Sequence, residues 1–291
     1  MKALQALLPM AFEEDEGSGD ITSEASIDPR QSTQAVLLCK EKGVLAGAPA
    51  LEAIFRYRGL APRVEWQAEE GAWIRPGEIL ARLEGEARTL LLCERIALNF
   101  LQRFCGIATA TRNFVAALGK SRTRILDTRK TPPGYRLLDK YAVAVGGGNN
   151  HRLGLFDQIL IKDNHVAACG SPRAAVEKAV SRYGRSQTIE VEVRNLEELE
   201  SLLDAPVDVL LLDNFSDAQL RQAVKRVRTA APHIRTEASG DMTLARVRRL
   251  RNAGLDFISV GSLTHSVKAL DLSLKIGKFG TPRKEKRHAG K

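Results

Sequence analysis

Six short apolar runs recur through the second half of the chain, each ending in polar or glycine-rich residues, and this repetition restricts the fold more than any other feature. The runs are RILDT (124–128), QILIKD (158–163), TIEVEV (188–193), VDVLLLD (207–213), IRTEAS (234–239) and DFISVG (256–261). Amphipathic stretches separate most of them: SPRAAVEKAVSRY, NLEELESLL, SDAQLRQAVKRVRTAA and TLARVRRLRNAG. Strands alternating with helices imply a parallel sheet with helical crossovers. Continuous apolar cores imply strands buried on both faces. In order, the runs finish in Asp127-Thr128-Arg129-Lys130, Lys162-Asp163-Asn164-His165, Glu190-Val191-Glu192, Asp213-Asn214, Glu237-Ala238-Ser239-Gly240-Asp241 and Gly261-Ser262. In a β/α barrel those ends converge on one mouth, where the active site is built. Helix N-capping accounts for a single such ending, but not for six in series.

The first half has a different texture. LLCKEKGVLAGAPA and EEGAWIRPGEILARLEGEA contain short strands broken by Gly and Pro, which predict an α+β layer. The Gly and Pro-Gly spacing resembles the hammerhead turn of lipoyl and biotinyl domains. No modifiable lysine sits between those strands, so a carrier module is not expected. EARTLLLCERIALNFLQRF then predicts a strong helix, with Leu91, Leu92, Arg95, Ile96, Asn99 and Arg103 forming i, i+3 and i, i+4 pairs. At the start, MKALQALLPMAF runs into EEDEG without a small-residue cleavage site, so it reads as an amphipathic helix and not a signal peptide.

Charge and cysteine usage narrow the function classes. The net charge is +9, but the last eleven residues, TPRKEKRHAGK, hold five basic residues and one Glu. The remaining excess suits anionic small substrates as well as nucleic acid. With only 5% aromatic residues and none in the tail, the interleaving that single-stranded nucleic acid needs is missing, and no nucleic-acid partner is expected. Cys39, Cys93, Cys105 and Cys169 form no CxxC pair, which argues against zinc and disulfides and fits a reducing cytoplasm. The longest apolar runs are too short to span a bilayer.

The segment TRKTPPGYRLLDKYAVAVGGGNNHRLGLFDQILIKDNH resembles the core signature of the quinolinate phosphoribosyltransferases. GSGDITS, LNFLQRFCGIAT, IEVEV, LLLDNF, EASGDMT and GLDFISVGSLTHSVKALDLSL extend the resemblance over nearly all the chain except the tail. A relative found in molybdate operons shares the TRKT and HR elements, but the Lys-Asp-Asn-His ending favours the quinolinate family. The resemblance implies an α/β fold: an N-terminal α/β sandwich over 1–106, with 272–280 packing back on it, and an incomplete, about six-stranded β/α barrel over 107–271. It leaves 281–291 as a basic tail, expected to be disordered and dispensable because it offers nothing to bury.

The activity implied is phosphoribosyl transfer from phosphoribosyl pyrophosphate to quinolinate with decarboxylation, giving nicotinate mononucleotide, pyrophosphate and CO2 in NAD biosynthesis, with Mg²⁺. By the same resemblance Arg103, Arg129, His151, Arg152 and Lys162 match dicarboxylate-binding positions, with Thr128 beside them. Arg103 is expected to reach the active site of a neighbouring subunit, making a homodimer, with or without further assembly, the working unit. Lys130 faces the phosphoribosyl group, and Glu192 and Asp213 match catalytic carboxylates near the ribose hydroxyls and Mg²⁺. Ser239, Gly240, Asp241, Gly261 and His265 correspond to the 5′-phosphate site, with the Asp241 side chain expected to point away. Gly146-Gly147-Gly148 are expected to shape the quinolinate pocket and LFDQILI to be a barrel strand, while Asn164 and His165 have no derived role. The chemistry fits the residue types, because arginine's planar fork pairs with carboxylates and fixed carboxylates stabilise positive charge on an anomeric carbon as pyrophosphate leaves. The rivals are the molybdate-operon relative acting on another substrate, a barrel lyase or isomerase using Lys162 as a Schiff base, and a nucleic-acid binder.

Overall fold

The protein's structure is a computed structural model that describes residues 2–59, 61–277 and 279. The tail expected over 281–291 lies outside the described residues. The chain forms two compact units, Met1–Gln102 with the segment from Leu270 onward, and Arg103–Ala269.

The first unit begins with α1 (Lys2–Glu16), whose Leu4, Leu8 and Phe12 are buried. Their spacing of four puts them on one helical face. Then follow α2 (Ile21–Ser26), β1 (Ser32–Cys39), β2 (Gly43–Val44), α3 (Ala48–Tyr57), β3 (Arg63–Trp66), β4 (Trp73–Ile74) and β5 (Ile79–Glu86). Both β3 and β5 pair antiparallel, as do β5 and β1, while β2 and β4 make a separate two-stranded sheet. Leu37, Leu51, Ile54, Phe55 and Leu83 are buried in its core.

Helix α4 (Ala87–Leu118) runs for 32 residues, far past the Phe104 at which its sequence pattern fades. Gly106 and the threonines of GIATAT discourage a helix on propensity alone. Here Thr109 and Thr111 return their hydroxyls to the carbonyls of Cys105 and Ile107 at 2.6 and 2.8 Å. Gly106 is needed because a Cβ there would lie 2.2 Å from the Lys268 carbonyl oxygen.

The second unit continues with β6 (Arg124–Leu126), α5 (Arg136–Val145), β7 (Ile159–Ile161), α6 (Asp163–Cys169), α7 (Pro172–Tyr183), β8 (Ile189–Val193), α8 (Leu196–Glu200), β9 (Val209–Asp213), α9 (Asp217–Ala230), β10 (Arg235–Ser239), α10 (Leu244–Leu250), β11 (Phe257–Ser259) and α11 (Ser262–His265). Its six strands form one sheet in the order β6-β11-β10-β9-β8-β7, and every pairing is parallel. This is the expected α/β architecture, an open β/α barrel of six strands. Strand β7 starts at Ile159, whereas Leu155 and Phe156 of the anticipated LFDQILI strand are 74% and 76% exposed. Asp157 ties that stretch into a turn by accepting the amides of Leu153 and Gly154 at 2.6 and 2.9 Å. The last strand, β12 (Leu272–Ile276), pairs antiparallel with β1 in the first unit.

Candidate active site

Strand registers put the decisive residues on one side of the second sheet. Glu190 pairs with Val209, and Glu192 with Leu211. Leu211 pairs with Glu237, and Asp213 with Ser239. Side chains alternate along a strand, so Glu190, Glu192, Asp213, Glu237 and Ser239 share the inner face, with Glu192, Asp213 and Ser239 nearest the carboxyl ends.

At that rim the groups are accessible. Lys162 Nζ donates to Glu192 Oε2 at 2.9 Å, with the lysine side chain 46% exposed. Asp213 Oδ2 accepts from the Asn214 amide at 2.7 Å. Asn214 also explains Gly240: a Cβ on Gly240, whose φ is +94°, would sit 2.0 Å from Asn214 Oδ1. Gly261 lies between two candidate residues, since a Cβ there would come within 3.2 Å of both Lys130 Cδ and His265 Nε2. Thr128 Oγ1 accepts the Lys130 amide at 3.1 Å, and Thr264 Oγ1 donates to the Lys130 carbonyl at 2.8 Å. Asp241 is exposed in a left-handed backbone with φ 42°. Thus Thr128, Lys130, Gly261 and His265 are gathered on one side, and Lys162 with Glu192 on another.

Beneath the rim lies a buried polar network that the sequence reading did not isolate. His151 Nε2 lies 3.2 Å from Glu190 Oε2 and 3.6 Å from Glu237 Oε1, while its Nδ1 accepts the Arg152 amide at 2.7 Å. Gln158 donates to Glu190 at 2.6 Å, and Ser259 donates to Glu237. Burial together with the charge of Glu190 pushes the Glu237 carboxyl up to about 8, against the pull of His151 and Ser259. Burial disfavours protonation of His151, but the hydrogen bond with Glu190 and the charge of Glu237 raise its pKa overall. Alongside, Lys140 Nζ donates to Asp127 Oδ1 and to the His151 carbonyl, and Asp127 also accepts the His151 amide at 2.8 Å. Burial pushes the Asp127 carboxyl up, with Lys140 opposing.

Both ring nitrogens of His151, expected at the dicarboxylate, are engaged inside the chain, where the imidazole positions its neighbours. Arg103, expected to reach a neighbouring subunit, likewise has its partners inside the chain. The Arg103 guanidinium donates to both Asp139 oxygens, at 2.8 and 2.7 Å, and to the Thr264 carbonyl at 3.1 Å, with its cation 5.4 Å from the Tyr135 ring centroid. Asp139 is 0% exposed, so withdrawing Arg103 towards a neighbouring subunit would strand a buried carboxylate, a loss of about 3–5 kcal/mol. Arg95, two turns earlier on α4, is exposed, as is Asn99. The glycines of 146–148 also answer to packing: Cβ atoms on Gly146 and Gly148 would meet Thr111 of α4 at 2.6 and 2.7 Å.

The remaining cations carry unspent donors. The buried Nε–H groups of Arg129 and Arg152 have no hydrogen-bond partner, and one Glu190 oxygen is likewise unpaired. Arg152 is 8% exposed, and burial followed by the charge of Arg129 lowers its pKa. A buried unpaired polar group costs about 1–3 kcal/mol, and an anion accepting both donors removes that cost. His165 takes a structural role, its Nδ1 accepting the Lys162 amide at 2.9 Å at the start of α6. Asn164 donates its backbone amide to Asp163 Oδ1 at 2.7 Å.

Two sets of donors could hold a metal. Glu192 and Asp213 offer hard carboxylate oxygens, each with one oxygen hydrogen-bonded and no partner for the other among the described residues. That suits a cation that keeps much of its water. His151, Glu190 and Glu237 bring one donor atom each within 4.8 Å of one another, a mixed nitrogen and oxygen set of the transition-metal type.

Comparison with known proteins agrees with this architecture. The profile of the family described as quinolinate phosphoribosyl transferase, C-terminal domain, matches residues 107–275, and that of its N-terminal domain matches residues 20–105. A probable nicotinate-nucleotide pyrophosphorylase [carboxylating] of Bacillus subtilis is 43% identical over 273 residues, covering 94% of this chain and 93% of that protein. A chloroplastic nicotinate-nucleotide pyrophosphorylase [carboxylating] of Arabidopsis thaliana is 40% identical over 290 residues, covering 94% of this chain and 82% of its own. The crystal structure of NadC from Streptococcus pyogenes superposes with a TM-score of 0.89 at 39% identity, over 95% of this chain and 97% of that one.

Proposed function

Since the chain belongs to the quinolinate phosphoribosyltransferase family, we propose that it transfers the phosphoribosyl group of phosphoribosyl pyrophosphate to quinolinate, with loss of CO2, in NAD biosynthesis. The observation that carries this reading is the pair of buried, unpaired Nε–H groups on Arg129 and Arg152. Planar guanidiniums with open donors suit a rigid dicarboxylate, and Lys162 supplies a third cation at the same mouth. Lys130 and His265, flanking Gly261, face the phosphorylated sugar. The open backbone at Ser239-Gly240 and Gly261 lets phosphate oxygens approach N–H groups closely.

Magnesium belongs to the proposal: Glu192 and Asp213 would hold it, and it would supply positive charge to balance that of pyrophosphate. The chain's own part is electrostatic. Glu192 and Asp213 oppose the positive charge that grows on the anomeric carbon, and Lys162 holds Glu192 in place. His151 keeps Arg152 aligned by accepting its amide.

A homodimer is also part of the reading, with the shared arginine reassigned from Arg103 to Arg95. Arg95→Ala and Lys162→Ala chains, each inactive, should regain about a quarter of full activity when unfolded and refolded together, if mixing is statistical. Recovery by Arg103→Ala in place of Arg95→Ala would restore the original assignment. The primary test is CO2 release and nicotinate mononucleotide formation requiring quinolinate, phosphoribosyl pyrophosphate and Mg²⁺ together. Equal product from nicotinate in place of quinolinate would overturn the reading.

A further inference from the structure

The second unit has a basin of about 720 Å³ at the opposite end of its strands from the mouth, lined by Arg122, Arg124, Arg228, Arg235 and Arg251 around Phe257. Arg124 opens β6, Arg235 opens β10 and Phe257 opens β11. Five arginines therefore line one concavity whose single acidic lining residue is Asp256.

That carboxylate is already committed. Asp256 Oδ2 accepts from Arg228 at 2.7 Å, from the Thr236 amide at 2.7 Å and from the Thr236 hydroxyl at 3.2 Å. Arg228 is also tied to the Gly254 carbonyl at 3.1 Å. Arg122, Arg124, Arg235 and Arg251 have no acidic partner among the described residues, and all four are exposed. Some exposed arginines elsewhere do meet acids, as Arg185 with Asp208 and Arg249 with Asp217. Like charges gathered without counter-charges repel one another, and a low-dielectric concavity focuses their field on whatever anion enters.

We propose that this basin binds a small polyphosphate anion, either a linear polyphosphate or the phosphate chain of a nucleotide. Four uncompensated guanidiniums match an anion of roughly four charges, and each fork can grip two phosphate oxygens. The volume lies within the range of about 300–1,000 Å³ typical of ligand pockets. The Arg235 guanidinium stands 5.4 Å from the Phe257 ring centroid, a flat platform on which a base can lie. A cluster of arginines around one concavity, in place of a stripe of basic residues, favours a compact anion over a nucleic-acid strand.

The inference does not depend on the activity proposed above, and neither does its test. The full-length chain is titrated calorimetrically with tripolyphosphate and with ATP in about 0.15 M salt, where weak surface attraction is screened. Both should bind; the Arg122→Gln/Arg251→Gln double variant should bind on the order of tenfold more weakly, as expected for lost charge-assisted contacts, and the same drop should persist in a Lys130→Ala background, where binding of polyphosphate at the mouth is weakened. Tighter binding of ATP assigns a share to the Arg235–Phe257 platform, and equal affinity assigns recognition to the phosphates alone. Hydrogen exchange on the unmodified chain gives a readout free of substitutions, with protection expected over 121–124 and 251–257 on adding tripolyphosphate. The proposal fails if the double variant binds as well as the wild type, if Lys130→Ala abolishes binding, or if protection appears only at the mouth. It fails equally if neither anion binds and an oligoribonucleotide does.

Discussion

The rim and the interior of the barrel mouth use the same residue types to opposite ends. In the interior, Asp127 meets Lys140, Asp139 meets Arg103, and Glu190 and Glu237 meet His151. Asp127 and Asp139 are 0% exposed, and Glu190 and Glu237 are 1% exposed. At the rim, Lys130 and His265 are exposed, while Glu192 and Asp213 each keep an oxygen unused among the described residues. Charges closed in upon each other hold a shape; charges with open valences await a ligand. Substitutions should divide accordingly, those inside removing stability and those at the rim removing turnover.

The largest effect should come from Lys140→Met, which leaves Asp127 buried without its cation. Such a break costs about 3–5 kcal/mol, measured as the loss in unfolding free energy in denaturant. A loss below about 1 kcal/mol would show that Asp127 simply takes up a proton, and the contrast would weaken. Next is Arg103→Ala, which strands Asp139 and should cost about 3 kcal/mol, while Arg95→Ala melts like the wild type. Equal melting temperatures for the two arginine variants would break the distinction on α4.

At the rim, Asp213→Asn changes charge with little change in shape. Turnover should fall on the order of a hundredfold, about 2.7 kcal/mol in the barrier, with unfolding free energy held within about 0.5 kcal/mol. A stable but fully active variant would remove Asp213 from the chemistry.

A further difference concerns pH. Glu237 is raised from 4.5 to about 8 in the folded chain, so the native state holds that proton more tightly than the unfolded state. Its contribution to stability is complete below about pH 4.5 and is lost as pH climbs through about 8. Asp127, Asp139 and His151 are shifted in the same direction. Glu237→Gln mimics the protonated acid and should flatten the decline in stability across that window. A decline as steep as in the wild type would place its origin elsewhere in the network.

The strands were legible because six apolar runs with polar ends leave few alternatives, and each appears in the sheet with its ends trimmed by a residue or two. The ends were also separable from the caps: Ser171, Asn195, Ser216 and Thr243 cap helices α7, α8, α9 and α10, so Glu192, Asp213 and Ser239 are not needed for that task. Glu190 and Glu237 left a signal that went unread. In IEVEV and RTEAS a Glu stands two residues before the residue at the strand's functional end, and period two puts both on one face. Asp139 and Lys140 gave less warning, because RLLDKYAVAV looks like an ordinary helix whose charges face solvent. Only the fold shows that they turn inward. The Arg103–Asp139 pair is hidden for the related reason that its members are 36 positions apart in sequence.

The antiparallel pairing of β12 with β1 also governs the order in which this chain can be completed during synthesis. Residues 32–39 leave the ribosome well before one of the strands that flank them, 272–276. Until then β1 exposes an unpaired row of amides and carbonyls, a template for pairing with another chain. The segment Arg103–Ala269 is free to fold first, so the unit that begins the chain is the last to be finished. Nascent chains stalled before residue 270 should therefore contain a protease-resistant second unit beside a first unit that is still sticky, and emergence of residues 272–276 should be the step that removes the stickiness.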